Sequence, residues 1–253
     1  TIERRVGSAE DLDMHVEAAI ASFGLATEFS IKALRQAEKI SVDADKALTE
    51  DVSRHDLRED LCITVDPADA KDFDDAVGAR KLEDGGFELW VHIADVAHYV
   101  GWDFPIDLEA RSRTCSTYLV DRVLPMLPEK LCNDVCSLRP AEDRLAMSVK
   151  MKLSSSGKIL GATAMNSVIC SRARLSYDQV DSYLQGDATS LEAVVSANDI
   201  TAIKEMLEVL NQIRALREEI RKKRGSVDFE SVETRVVLDE NNKPVGVSVR
   251  ERT

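Results

Sequence analysis

The spacing of hydrophobic and polar positions along the chain changes from helical to strand-like and back. Over residues 1–54 apolar side chains recur at helical intervals. Leu12, Val16, Ala19 and Ile20 form one stripe, and Ser8-Ala9-Glu10-Asp11 before it reads as an N-cap with acidic first-turn residues. A second helix is expected from about Glu28 to Ile40, with Phe29, Ile31, Leu34 and Ala37 on its buried side. From Leu61 the pattern turns to strands. Leu61-Cys62-Ile63-Thr64-Val65 is a short buried run, and Phe73–Leu82 and Phe87–Val96 flank Glu83-Asp84-Gly85-Gly86, a hairpin turn sequence.

Ile106–Thr114 then reads as a helix, and Tyr118 falls in a short extended segment. Pro125 and Pro128 break regular structure and introduce a helix from Glu129 to Leu138. Leu145–Leu153 and Ile159–Ile169 are strands joined by Ser154-Ser155-Ser156-Gly157-Lys158, and Tyr177–Leu184 is a short helix. Ile200–Lys223 is a long amphipathic helix with Ile200, Ile203, Leu207, Leu210, Ile213, Leu216 and Ile220 on one side. A basic end at Arg221–Arg224 and Gly225 close it. Val232–Leu238 and Val245–Val249 make a last hairpin around Asn241-Asn242-Lys243-Pro244. The class this predicts is α+β, with a mixed, largely antiparallel sheet flanked by helices.

Composition narrows the setting. The 253 residues allow one large domain or two small ones, and no segment has the roughly 20 apolar residues that span a bilayer. No signal peptide follows Thr1-Ile2-Glu3-Arg4-Arg5, and five cysteines without paired spacing point to a reducing, cytoplasmic location. Cys132 and Cys136 read as buried thiols. The net charge of −13 argues against a nonspecific nucleic-acid binder. RNA would need a local basic track, for which Arg111, Arg113 and Arg122, then Arg139 and Arg144, then Arg172 and Arg174 are the candidates.

The candidate chemistry lies in Asp66-Pro67-Ala68-Asp69-Ala70-Lys71-Asp72-Phe73-Asp74-Asp75-Ala76, where five of eleven residues are aspartates. Carboxylates packed so densely repel one another unless a cation joins them. Hard divalent ions favour such oxygens and usually keep waters and a substrate phosphate as further ligands. Asp66, Asp72, Asp74 and Asp75 are therefore candidates for a Mg²⁺ and phosphate site. A solvated acidic loop with turn and capping aspartates is the plainer alternative. A calcium EF-hand is disfavoured by the absence of Gly at the sixth position and Glu at the twelfth. His92 and His98 lie six apart and share a face if one strand holds both; a core, hydrogen-bonded role suits them better than ligation.

Val65-Asp66, Asp72-Phe73-Asp74-Asp75-Ala76 and Leu89-Trp90-Val91-His92-Ile93-Ala94-Asp95-Val96 together resemble the catalytic (RNB) domain of the ribonuclease II/ribonuclease R family, ribonuclease R most of all. The resemblance continues through Thr117-Tyr118-Leu119, Leu124-Pro125-Met126-Leu127-Pro128, Val135-Cys136-Ser137-Leu138-Arg139-Pro140 and Arg174-Leu175-Ser176-Tyr177-Asp178-Gln179-Val180. It implies a helical entry segment at 1–54 and the N-terminal part of the catalytic domain at 55–253. The implied activity is Mg²⁺-dependent (or Mn²⁺-dependent) hydrolysis of single-stranded RNA from its 3′ end, releasing nucleoside 5′-monophosphates, with neither DNA nor membrane as partner.

By the same resemblance Asp66 and Asp75 match the principal metal ligands, Asp72 a supporting acidic position, and Asp74 the residue critical to the chemical step. Tyr118 matches an aromatic that stacks on the terminal base, and Tyr177 a position linked to sugar discrimination. Asp69 matches no family role and reads as a turn residue. The family's later glutamate-bearing helix, second stacking aromatic, arginine cluster and OB-fold domains have no counterpart here. The chain thus reads as an incomplete RNB-type domain, and a non-catalytic fragment that binds RNA or protein is the alternative.

Overall fold

A computed structural model describes residues 12–227, 231–240 and 244–252. The N-cap sequence Ser8–Asp11 and the turn residues Asn241–Lys243 lie outside the described residues. Two compact units are present, Glu38–Gly101 with Glu129–Ser226, and a smaller one from Thr1–Ala37, Trp102–Pro128 and Val227–Thr253.

The larger unit is built on a seven-stranded sheet. Its strands are β1 (His55–Leu57), β2 (Ile63–Asp66), β3 (Asp75–Lys81), β4 (Phe87–Ala94), β7 (Asp143–Leu153), β8 (Ile159–Cys170) and β9 (Ala173–Ser176), in the spatial order β1-β8-β7-β4-β3-β2-β9. The four central pairings are antiparallel, while β1 joins β8 and β9 joins β2 in parallel. A mixed, largely antiparallel sheet with flanking helices is what the alternation predicts. The two parallel edge strands, β1 and β9, are too short to leave a periodic signature and were not foreseen, while the helix α3 (Ala44–Glu50) falls in the segment read as helical without having been delimited there.

Local chemistry explains most boundaries. The β3–β4 turn closes with Gly85 at φ +78°, a conformation that costs a residue with a Cβ. α6 (Tyr177–Leu184) carries a complete capping box between Ser176 and Gln179. α8 (Ile200–Lys223) matches its predicted bounds and buries Ile203, Met206, Leu207 and Ile213. Ile203, Met206 and Leu207 share a core with Ile63, Ala173, Leu175 and Leu191, and Ile213 packs with Phe87 and Leu153. α3 covers another part of the unit, with Ala44 and Ala47 against Leu145 and Val168.

Gly78 has a different role. A Cβ there would stand 2.4 Å from the Leu61 carbonyl oxygen, which is backbone and cannot swing away. Gly78→Ala is expected to destabilise the chain by about 1–3 kcal/mol, the usual cost of overpacking, measured as a lower thermal unfolding midpoint.

Several expectations need correction. The strand expected from Phe73 begins at Asp75, and the one expected to reach Val96 stops at Ala94. Asp95 caps a short helix, α4 (Val96–Tyr99), by accepting from His98 N–H. His92 and His98 therefore share no strand. His92 is a buried, hydrogen-bonded residue, 2.6 Å from Ser148 Oγ through Nδ1, and His98 is exposed. The helix expected from Glu129 is a π-helical turn at Leu131–Val135. Cys136 is buried and Cys132 half-buried; burial pushes their thiols up to about 12 and about 11.

In the smaller unit, α1 (Leu12–Phe23) buries Val16 and Ile20 against Leu124. α2 (Ile31–Ala37) packs on α5 (Pro105–Arg113). The buried residues of α2 are Ala33 and Ala37, so Ala37 is buried as expected, whereas Ile31 is 68% and Leu34 45% exposed and do not form the buried side. The small Ala side chains suit the closely packed side of a helix pair. Tyr118 lies in a two-residue strand, β5 (Thr117–Tyr118), paired with β6 (Val123–Leu124). β10 (Ser231–Leu238) and β11 (Pro244–Arg252) form the expected hairpin.

Candidate active site

The aspartates sit where β2 ends and β3 begins. Asp66 is the last residue of β2 and Asp75 the first of β3, so a loop of eight residues, 67–74, connects two paired strands. Asp66 is buried, as are Ile63 and Thr64 before it. Its pKa is pushed up to about 6, by burial first and then by the charge of Asp75, with Asp72 adding. Thr64 and Arg174 partly offset this. No hydrogen bond of proper geometry reaches Thr64 Oγ1 or Asp66 Oδ2, however, and both atoms are buried. Asp74 is exposed as a residue, yet the protein around its carboxyl raises its pKa through desolvation, with Asp72 and Asp75 contributing. Asp72 is half-buried and Asp75 exposed.

A hard divalent cation fits this donor set. Asp66 offers a buried oxygen with no hydrogen bond, and the charges of Asp72 and Asp75 raise the proton affinity of Asp66 and Asp74, a strain that a cation relieves. Among the described residues no group of three or more His, Cys, Asp or Glu side chains is arranged to hold a metal ion. The carboxylates are thus neighbours through charge and not a closed set of ligands.

A pH effect follows in the metal-free protein. A carboxyl whose folded pKa lies above its usual 3.8 is disfavoured when charged, so its penalty is absent below about pH 4 and complete above about pH 6. Asp66→Asn is therefore expected to stabilise the chain relative to the native sequence at pH 7 more than at pH 4.5. Urea midpoints in chelator at the two pH values measure this, and an unchanged difference would contradict it.

The loop's backbone is fixed by distant residues. Phe73 N–H donates to Ser137 Oγ at 3.0 Å, Ser137 Oγ donates to the Lys71 carbonyl at 3.1 Å, and Leu138 N–H donates to the Phe73 carbonyl at 2.8 Å. The Asp74 carbonyl accepts from Ala94 N–H at 2.8 Å. At the other end Arg174 donates to the Pro67 and Ala68 carbonyls, both at 2.8 Å, and its guanidinium lies 5.4 Å from the Phe73 ring centroid.

Tyr177 joins this neighbourhood. The parallel β2–β9 pairing sets Asp66 opposite Ser176, and Tyr177 follows at the start of α6, 44% exposed. Tyr118 belongs to the smaller unit and is 72% exposed.

The arginines of the expected basic tracks are engaged within the protein. Arg111 pairs with Asp103 and Asp107, Arg113 donates to the Ala26 and Glu28 carbonyls, and Arg122 pairs with Asp121 and Glu17. Arg139 pairs with Asp134 and Glu142, Arg144 is buried against Glu142, and Arg172 reaches the Arg58 carbonyl. Ser137 was not foreseen as a site residue. Its only signal was its place in the Val135–Pro140 block, because periodicity cannot mark a buried serine.

The RNB domain model matches residues 54–253, four-fifths of the chain and all four aspartates. This chain belongs to the RNB domain family. The RNB chain is 38% identical over 247 residues to ribonuclease R 1 of Lactococcus lactis, covering 98% of its own length and 29% of that protein's. It is similar in structure to Mycoplasma genitalium RNase R in complex with double-stranded RNA, at a TM-score of 0.87 and 31% identity over 97% of this chain and 42% of the other. The same M. genitalium enzyme with ribose-methylated single-stranded RNA gives 0.86 and 31%, covering 97% of the RNB chain and 37% of the other. The RNB chain thus spans less than half the length of each of these proteins. Among its described residues no helix is long and apolar enough to cross a membrane.

Proposed function

We infer that this RNB chain carries the acidic half of a Mg²⁺-dependent 3′-to-5′ exoribonuclease site, Mn²⁺ being an alternative ion. The substrate read from it is single-stranded RNA, the products are nucleoside 5′-monophosphates, and the setting is cytoplasmic. The observation that carries the reading is Asp66: a buried carboxylate oxygen without a hydrogen bond, among like charges, at the end of a strand. RNA in the solved M. genitalium relative supports the substrate class.

In this reading Asp66 and Asp75 hold the cation and Asp72 supports them. The ion supplies charge stabilisation for the phosphate and acidifies a bound water. Asp74 orients the attacking water or takes its proton; a carboxyl pKa raised above its ordinary value by desolvation and by Asp72 and Asp75 favours that work. Tyr118 stacks on the terminal base, worth about 1–3 kcal/mol and indifferent to sequence. Tyr177, next to the residue opposite Asp66, donates a hydrogen bond to the 2′-OH, which separates RNA from DNA. We put the boundary between a helical entry segment and the catalytic part after residue 54, a reading supported by a family match that runs from residue 54 to 253.

A second reading is a non-catalytic fragment that binds RNA or protein. It is favoured by the absence of a three-ligand group among the described residues and by the net charge of −13. A time course on 5′-labelled single-stranded RNA, with Mg²⁺ and with chelator, separates the two. Mg²⁺-dependent shortening from the 3′ end supports the enzyme, and no shortening supports the fragment.

A further inference from the structure

We propose that Ser137 and Arg174 are positioning residues that set the cation affinity of the aspartate loop by holding its backbone at two points. The proposal rests on the functional reading above and assigns to these residues a part in it.

The loop between Asp66 and Asp75 has little structure of its own. One backbone bond, Ala70 N–H to the Pro67 carbonyl, lies within it. Several others reach it from outside. Ser137 is fully buried, and its one hydroxyl serves two loop groups, accepting from Phe73 N–H and donating to the Lys71 carbonyl. That bond pair brackets Asp72. Leu138 N–H on the Phe73 carbonyl and Ala94 N–H on the Asp74 carbonyl complete the far half. Ser137 is itself anchored, since its carbonyl accepts from Arg144 Nε at 2.8 Å and Arg144 is buried.

Arg174 acts at the near half. One nitrogen, Nη2, bridges the carbonyls of Pro67 and Ala68, the two residues that follow Asp66, while the guanidinium carbon lies over the Phe73 ring. It therefore ties the exit from Asp66 to the ring between Asp72 and Asp74. Arg174 lies on β9, paired with Thr64, so its origin is as rigid as the sheet. Ligands must be held to within about half an ångström for a metal site to form, and loss of a supporting bond around a site typically costs about 10–100-fold in metal affinity. Carboxylates that repel one another can meet one ion only if the backbone carrying them does not yield, and these two side chains add to the backbone bonds from Leu138 and Ala94 in resisting.

The test is Mn²⁺ binding to the 253-residue chain, followed by loss of the free-ion paramagnetic resonance signal, with thermal unfolding in chelator measured alongside. Ser137→Ala removes both hydroxyl bonds. Arg174→Lys keeps the positive charge near Asp66 but loses the guanidinium that bridges two carbonyls and lies over Phe73. Each is expected to bind Mn²⁺ about tenfold or more weakly at a temperature where it is fully folded. A residue that merely stabilises the fold would lower the unfolding midpoint and leave the affinity of the folded protein unchanged. Native affinity in folded Ser137→Ala and Arg174→Lys would overturn the proposal. Should Ser137→Ala not fold, Arg174→Lys, at a partly exposed position, decides alone. A native chain that binds no Mn²⁺ would overturn the metal-site reading as well, a result distinct from equal binding by native and variant chains.

Discussion

Asp74→Asn is expected to slow the release of nucleotides from the 3′ end of single-stranded RNA by about 10²–10⁴-fold, the range for loss of a general acid–base group. RNA affinity should stay nearly unchanged. The substitution keeps the shape of the side chain and removes its capacity to carry a charge or accept a proton. The loop should keep its course, because the bond that holds this residue uses the Asp74 carbonyl and Ala94 N–H, which the change leaves intact. Single-turnover cleavage of 5′-labelled RNA, beside a direct binding titration, reads the two quantities apart. Equal rates for the native and variant chains would remove Asp74 from the chemistry. A rate loss matched by an equal loss of binding would make it a residue of RNA affinity.

Arg54→Ala is expected to destabilise the chain by about 3–5 kcal/mol, the usual result of breaking a buried charge pair by removing one partner. Arg54 is buried and spans two parts of the larger unit. Its Nη2 bonds Asp95 Oδ2 at 2.8 Å, and its Nη1 donates to the Ser167 carbonyl at 3.0 Å. Asp95 is the residue that caps α4 and would be left as a largely buried carboxylate without its counter-charge. The family match begins at this arginine. Urea unfolding followed by far-UV circular dichroism measures the loss, expected as a fall in midpoint of more than about 1 M for a chain of this size. Arg54→Met together with Asp95→Leu should recover much of it, since replacing both partners by apolar groups leaves no buried charge. A single-variant midpoint within experimental error of the native one would show that the pair contributes no net stability.

The two effects fall in different places. In the proposed reading Asp74 bears on the rate alone and Arg54 on the persistence of the sheet that carries it, so a variant of one should leave the other's observable in place. The measurement on Ser137 and Arg174 lies between them, in the affinity of a loop whose ends belong to that sheet.

Much of the fold was legible because its cause is local. The bounds of α6 and α8 follow from a capping box and from an apolar stripe that both lie within the element itself. The β3–β4 hairpin follows from a glycine turn between two alternating runs. The position of the candidate site was legible for a related reason: five aspartates in eleven residues are dense whatever surrounds them. Where local signals misled, a tertiary contact had overridden them. Ile31 and Leu34 lie at apolar spacing, yet the helix turns its alanines inward.

By itself the sequence determined the longer helices and strands, where the carboxylates gather and which family's blocks they stand in. Each of these depends on residues close together along the chain or on the identity of single positions. Only the tertiary structure decided that β2 and β9 run in parallel, with Asp66 opposite Ser176 and beside Tyr177. It alone decided that arginines spaced like a basic track are spent on carboxylates and carbonyls of the protein itself. It also decided that a serine remote in sequence secures the loop between the aspartates. The reason is physical: periodicity and capping are properties of a segment, whereas a partner for a backbone N–H or a guanidinium is supplied by whatever the topology brings within about 3 Å, and no repeat along the chain encodes that.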